Sequence, residues 1–251
     1  GFVLFLSYFT YVHKFDTPQG FFWDENYYVT DAQKELNGVF YMQIHPPLGK
    51  LLMAAGEAIL DASHNDAQYL QTDYAKGDFS GGFSITGYRL VPVLLAWATA
   101  PLLFLILLLI VRSPIAATLL SFLYIFDNAL IIHSRGAMLE APLLFFSSAV
   151  ILCALFLLLE GKRMKQWKLR IMSILFGISL AAAITTKMLA LVFLLLLVPI
   201  VYVLLPQWKK IGAFVLYAFL SFAIIFVAVW QTHFALGSRI EPALLSDGFY
   251  G

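Results

Sequence analysis

From residue 89 to residue 230 the chain alternates long apolar runs with polar breaks of a few residues. Crossing the ~30 Å hydrocarbon core of a bilayer takes about 20 apolar residues wound as a helix. Six runs approach that length, roughly 90–111, 115–132, 141–159, 171–185, 188–205 and 211–230. A seventh, 2–12, is too short to cross alone, and it lacks the basic flank and small-residue cleavage site of a signal peptide. It reads as the outer end of a helix whose beginning is missing, and the whole chain reads as a fragment or trimmed domain. The pattern therefore predicts an all-α polytopic membrane protein with about seven transmembrane helices.

Residues 16–88 break this rhythm. A helix is predicted over 24–37, stopping at Asn37-Gly38. A second opens at Pro46-Pro47, where proline is tolerated in a first turn. It carries an apolar stripe at helical spacing in Leu48, Leu51, Leu52, Ala55 and Ile59, and is expected to lie along the membrane surface. Residues 62–87, with Gly77, Gly81, Gly82 and Gly87, read as a loop returning the chain to the bilayer. The division is thus a partial first span (1–15), an outer loop (16–88), six spans (89–230) and the start of a further outer loop (231–251).

Composition agrees with the pattern: 61% of residues are hydrophobic, 12% are charged, and the mean hydropathy is +0.83. A soluble domain is excluded. The net charge of +1 hides a strong segregation. Ten of the fifteen acids fall between Asp16 and Asp78, whereas eight of the sixteen basic residues sit in the short connections at Arg112, 161–170 and Lys209-Lys210. Basic short loops mark the cytoplasmic face. The acidic segment, the 134–140 turn, the Thr186-Lys187 turn and the tail after Gln231 then face outward. The very short loops favour a prokaryotic plasma membrane over the endoplasmic reticulum. Cys153 is the single cysteine, so neither a disulfide framework nor a cysteine metal site is expected. Nothing points to nucleic acid.

Candidate chemistry gathers at the acidic end. Asp24 and Glu25 lie between aromatic residues just past an apolar segment, although an acidic pair is also what an ordinary helix N-terminus favours. Arg135 lies in an outer turn, and Asp127 precedes it by eight residues, within an apolar run where an ionisable group is costly. Pairing of Asp127 with Arg135 or Arg89 is the structural alternative to a substrate role. Glu140 opens the next span and Lys187 ends another. Asp24, Glu25, Arg89, Arg135, Glu140 and Lys187 are expected to converge on one outer cavity. His45, which precedes two prolines, is either a proton-transfer group or a loop anchor. His133 and His233 read as interfacial polar residues. No metal-ligand spacing is present.

Four strings carry a family resemblance: Trp23-Asp24-Glu25; His45-Pro46-Pro47-Leu48-Gly49-Lys50; Gly87-Tyr88-Arg89-Leu90-Val91-Pro92; and Ser134-Arg135-Gly136-Ala137-Met138-Leu139-Glu140-Ala141-Pro142-Leu143. Together they resemble the protein O-mannosyltransferases, whose C-type glycosyltransferase (GT-C) fold the whole chain would share. The histidine-proline string is the most specific, and the acidic pair is generic to the superfamily. Asn26-Tyr27 and Glu140 depart from the family pattern without removing a charge.

The resemblance implies transfer of mannose from polyprenyl or dolichyl phosphate mannose to serine or threonine hydroxyls of a protein, with inversion. Asp24 would be the general base and Glu25 its orienting neighbour. Arg135 and Lys187, with Lys50 and Arg89 behind them, would stabilise the leaving lipid phosphate. His45, Asp127 and Glu140 complete the substrate-binding candidates. No cofactor is expected, and a divalent cation at Asp24 and Glu25 is the unfavoured alternative. Donor lipid, protein acceptor and bilayer are the partners, with a dimer left open. The competing readings are a lipid-acceptor sugar transferase of the aminoarabinose type and a non-catalytic membrane transport subunit.

Overall fold

The computed structural model describes residues 1–70, 79 and 81–241. Part of the expected return loop, Gly77 included, lies outside the described residues, as does the tail beyond residue 241. Helix α1 (Phe2–Ser7) runs into a single π turn, Tyr8–Val12. Helices α2 (Glu25–Leu36) and α3 (Leu48–Leu60) occupy the polar segment. There follow α4 (Thr86–Val111), α5 (Pro114–Ile125), α6 (Asn128–Arg135), α7 (Glu140–Glu160), α8 (Gln166–Thr186), a 3-10 helix over Met188–Leu196, α9 (Leu197–Leu204) and α10 (Trp208–Leu236). Among the described residues the one β-type pairing is a bridge between Val39 and Arg239.

Of the expected seven spans, four or five are supported by length and composition among the described residues. Four helices there, α4, α7, α8 and α10, are long and apolar enough to cross a membrane, and counting the α5–α6 pair as one span makes a fifth. That pair bends by 61°. The bend has a local cause, because the Asp127 carboxylate accepts from the Leu130 amide at 2.8 Å and so caps a new helix inside the apolar run. The 188–205 run is split as well. Pro199 has no amide hydrogen to offer Leu195, and the winding changes in that turn. At ~2.0 Å per 3-10 residue and ~1.5 Å per α residue the segment still reaches roughly 30 Å, although its residue count is short.

Helix α8 is the centre of the bundle: 67% of its apolar window is buried, against 22% for α10. It packs along both α7 and α10. A side chain at Gly177 would run into the Ala218 carbonyl and the Ser221 hydroxyl, so the two helices meet backbone to backbone. The hydroxyls of Ser173, Thr185 and Thr186 bond carbonyls four residues back, at 2.7–2.8 Å, and expose no polar group to lipid. Large apolar side chains instead line the outside, Leu123, Val198, Phe219 and Ile224 among them. Such an inside-out pattern suits acyl chains rather than water.

The same inversion governs α3. Its buried face is Gly49, Lys50, Met53, Ala54, Gly56 and Glu57, while the predicted stripe turns outward, with Ile59 71% exposed. Helix α2 has no apolar stripe to bury, yet ten of its twelve residues are buried. Polar pairing holds it. The His233 Nδ1 of α10 lies 2.6 Å from the Glu35 carboxylate, and the Tyr41 hydroxyl donates to the same Glu35 oxygen at 3.0 Å. The Lys34 and Lys50 ammoniums lie 5.7 Å from the centre of the Tyr41 ring. Asp31 approaches both lysines at 3.9–4.0 Å. Beside this cluster the Phe40 amide donates to the Arg239 carbonyl, and the Arg239 amide to that of Gly38. The C-terminal end of α2 is thereby fixed to the end of α10, and its N-terminal end carries Asp24.

Candidate active site

Asp24 and Glu25, neighbours in sequence, have separate environments. Glu25 is fully buried, and each of its oxygens accepts two bonds. Oε1 takes Arg89 Nε at 2.7 Å and the Ala137 amide at 2.6 Å; Oε2 takes Arg89 Nη2 and the Phe22 amide, both at 2.7 Å. A carboxylate offers about four lone-pair sites, and here all four are used. Arg89, buried in turn, spends its remaining donors on the carbonyls of Pro18 and Gly20 at 2.7–2.8 Å. Three distant pieces of chain, the 18–25 turn, α4 and the 136–140 turn, are thus tied at one carboxylate. Gly136 is required there, since a Cβ would stand 3.0 Å from Glu25 Oε1.

The tie shapes the backbone beside it. Trp23 holds φ 51°, a left-handed conformation unfavourable for a bulky residue, inside a turn closed by the Glu25 amide on the Phe22 carbonyl at 3.0 Å. Its indole is 71% exposed and touches the His133 ring, 6.1 Å away. Asp24 follows as the N-cap residue of α2, but its side chain makes no capping bond and is only partly buried. Its carboxylate is left for other work.

The Asp24 charge is felt by His45 and Tyr28, and both also feel Glu140. Burial lowers the His45 pKa from its ordinary 6.5, the Lys187 and Lys50 ammoniums lower it further, and the Glu140 and Asp24 carboxylates oppose them. Burial, together with Glu140, Asp24 and Asp31, pushes the Tyr28 hydroxyl well above its ordinary value. The Tyr28 and His45 rings are 6.3 Å apart. Lys187, just past the end of α8, places Nζ 2.9 Å from Glu140 Oε1. Asn26 Nδ2, His133 Nδ1 and Glu140 Oε2 are buried without a hydrogen-bond partner among the described residues.

Comparison with known proteins places the chain in a family. The family model described as "Dolichyl-phosphate-mannose-protein mannosyltransferase" matches residues 1–236. The chain belongs to the protein O-mannosyltransferase family. It is 31% identical over 150 residues to "Dolichyl-phosphate-mannose--protein mannosyltransferase 1" of Candida albicans, covering 59% of this chain and 16% of that one. With "Protein O-mannosyl-transferase 1" of Danio rerio it shares 26% identity over 208 residues, 82% of this chain and 28% of that one. The fold matches a chain of "Structure of S. cerevisiae protein O-mannosyltransferase Pmt1-Pmt2 complex bound to the sugar donor" with a TM-score of 0.80 at 20% identity, covering 96% of this chain and 34% of that chain. An integral, multi-pass membrane protein with a helical architecture that fits the GT-C class follows from the apolar helices and this match. The chain spans well under half the length of these relatives.

In this mannosyltransferase-family chain the predicted residues do not all meet in one cavity. Asp24, Glu140 and Lys187 all act electrostatically on His45, and Lys187 is paired with Glu140. Arg135 and Arg89 line a cavity of about 530 Å³ walled by Phe9, Phe15, Phe22, Ile131 and Ile132, and Asp24, His45, Glu140 and Lys187 are not in its lining. There Arg135 donates to the carbonyls of His13 and Lys14. Asp127 is exposed and caps α6, and it pairs with neither Arg135 nor Arg89, so the structural alternative to a substrate role is not what the fold shows. Lys50 turns away from Asp24 into the buried cluster, where desolvation lowers its pKa against the pull of Asp31 and Glu35. Its Nζ donates to the His45 carbonyl at 2.5 Å and anchors that loop.

Two residues escaped the sequence reading. Tyr28 stands four positions after Asp24 on the same helical face, a spacing that points to it. His233, expected at an interface, is 3% exposed and held by Glu35. Nothing local signals a partner 198 residues away.

Proposed function

We propose that this chain carries the base-bearing end of an enzyme that moves a mannosyl group from a polyprenyl or dolichyl phosphate to a serine or threonine hydroxyl of a protein. The observation that carries the reading is the division of labour in the acidic pair. Glu25 is saturated by four donors, whereas Asp24 beside it has no capping bond. A hydroxyl is a poor nucleophile, and a carboxylate within hydrogen-bond reach that takes its proton contributes ~10²–10⁴ in rate. The acceptor oxygen bonds the anomeric carbon, its proton passes to Asp24, and the carbon–oxygen bond to the lipid phosphate breaks with its electron pair on the phosphate. A single displacement of this kind inverts the anomeric carbon.

The leaving phosphate gains negative charge in the transition state, and a fixed cation stabilises it without reorganising. Lys187, held by Glu140, serves that purpose better than Arg135, whose guanidinium is engaged by backbone carbonyls. Glu25 keeps no acceptor position for a divalent cation, so a metal bridging the pair does not fit. The buried unpaired atoms of Asn26, His133 and Glu140 suit the hydroxyls of a sugar. The basic connections put the opposite end of the bundle in the cytoplasm, and the site therefore faces lumen or exterior. The solved relative is a two-protein complex, and a paired assembly is the corresponding reading here. The names of the relatives do not favour a lipid acceptor or a transport role.

The test is transfer of radiolabelled mannose from polyprenyl phosphate to a serine/threonine-rich peptide by the full-length protein in lipid, native and Asp24→Asn. Loss of transfer in the variant with donor binding retained is the expected result. Equal activity in both removes Asp24 as base. No transfer by a folded, donor-bound native protein overturns the substrate assignment.

A further inference from the structure

The end of the bundle opposite Asp24 carries eight basic residues, at Arg112, in the 161–170 connection and at Lys209-Lys210, against one acid, Glu160. At this end a cavity of about 760 Å³ opens between the last turn of α7 and the first turns of α8. Phe156, Trp167 and Ile171 form an apolar wall, Arg163, Lys165 and Lys168 supply cations, and Glu160 adds the one carboxylate of the lining, which leaves a net positive site. Both classes reach the surface: Trp167 is 56% exposed and Ile171 44%. No carboxylate among the described residues lies within ion-pair distance of these three cations.

The turn that bears them is fixed. The amides of Arg163 and Met164 both donate to the Glu160 carbonyl at 2.8 Å. From the start of α10, Lys210 Nζ donates to the carbonyls of Gly161 and Lys162, at 3.0 and 2.5 Å. Lys210 is thus occupied in holding the turn, and Arg163, Lys165 and Lys168 stand on a preorganised frame.

We propose that this cavity binds the headgroup of an anionic glycerophospholipid, with the phosphate among Arg163, Lys165 and Lys168 and the glycerol and upper acyl chain against Phe156, Trp167 and Ile171. Charge complementarity and the amphipathic wall select this occupant. An apolar partner would desolvate three cations against the single carboxylate of Glu160 and the Trp167 ring that Lys168 faces at 5.5 Å, and a free phosphate would leave the wall uncovered. The position at the mouth of a transmembrane pair brings a headgroup there from the bilayer, and Trp167 sits where indoles favour the membrane interface.

The experiment places the full-length protein in nanodiscs of phosphatidylcholine, with and without phosphatidylglycerol, and counts retained lipid by native mass spectrometry. Three proteins are compared: native; Arg163→Ala/Lys165→Ala/Lys168→Ala; and Arg112→Asn/Lys162→Ala/Lys209→Ala, which removes three charges from the same end outside the cavity. Monodispersity and melting temperature establish that each is folded. At ~1 kcal/mol, or about fivefold, per basic residue, phosphatidylglycerol retention falls at least tenfold in the first variant. The second variant retains it like the native protein, and excess inorganic phosphate does not displace it. Equal loss in both variants means diffuse electrostatics and overturns the proposal. Retention of phosphatidylcholine equal to that of phosphatidylglycerol overturns it, as does displacement by inorganic phosphate.

Discussion

Replacing Glu25 by glutamine changes one oxygen to an amide nitrogen in a site built for four acceptor positions. If Oε1 survives, the new NH2 faces Arg89 Nη2 and the Phe22 amide; with the side chain flipped it faces Arg89 Nε and the Ala137 amide. Either orientation sets donors against donors and leaves the Arg89 cation, 3% exposed, without its counter-charge. Removing one partner of a buried ion pair costs ~3–5 kcal/mol. At ~2–4 °C per kcal/mol the unfolding midpoint falls by roughly 6–20 °C. Asp24→Asn is the matched control. It is isosteric, one residue away, and touches a side chain with no capping bond, so its effect on stability stays within ~0.5 kcal/mol. Thermal unfolding of the full-length protein in nanodiscs, followed by circular dichroism, reads both variants, and mannosyl transfer is measured on the same samples. The expected pattern is a stable but inactive Asp24→Asn and a destabilised Glu25→Gln. An unchanged midpoint for Glu25→Gln, or equal destabilisation by Asp24→Asn, refutes the division of labour.

Two further outcomes follow from buried polar groups. The His45 pKa is lowered in the folded state, chiefly by burial, so between that value and 6.5 the unfolded chain binds more protons than the native one. The contribution of His45 to stability is therefore fully present above pH 6.5 and is lost as pH falls through the folded value; His45→Asn flattens this part of a stability-against-pH curve, and an unchanged slope contradicts the assignment. His233→Phe keeps a ring but leaves the Glu35 Oε1 with the Tyr41 hydroxyl alone. It should destabilise by ~1–3 kcal/mol, the cost of leaving a buried acceptor short of a donor, and speed hydrogen exchange at the Phe40 and Arg239 amides, whereas protection equal to the native protein would separate the cluster from the α2–α10 junction.

The apolar runs, and hence the helical membrane class, were legible in the sequence because the transfer free energy of a 20-residue window and its backbone hydrogen bonds are local properties. The ends of α2 were legible for the same reason, and Trp23-Asp24-Glu25 with the His45–Lys50 string pointed to the family. What the sequence could not settle was partnership. Asp24 and Glu25 are adjacent and chemically alike, yet donors 64 and 112 positions away saturate one and leave the other open. Asp127 read as a substrate-binding candidate, or else a partner for Arg135 or Arg89, and it caps the helix that breaks its own span. Lys50 read as a phosphate ligand and is drawn into a buried cluster by Asp31 and Tyr41. Hydropathy sums over neighbours in the chain, whereas the role of a charged side chain depends on which opposite charges, amides and carbonyls the tertiary fold brings within about 3 Å of it.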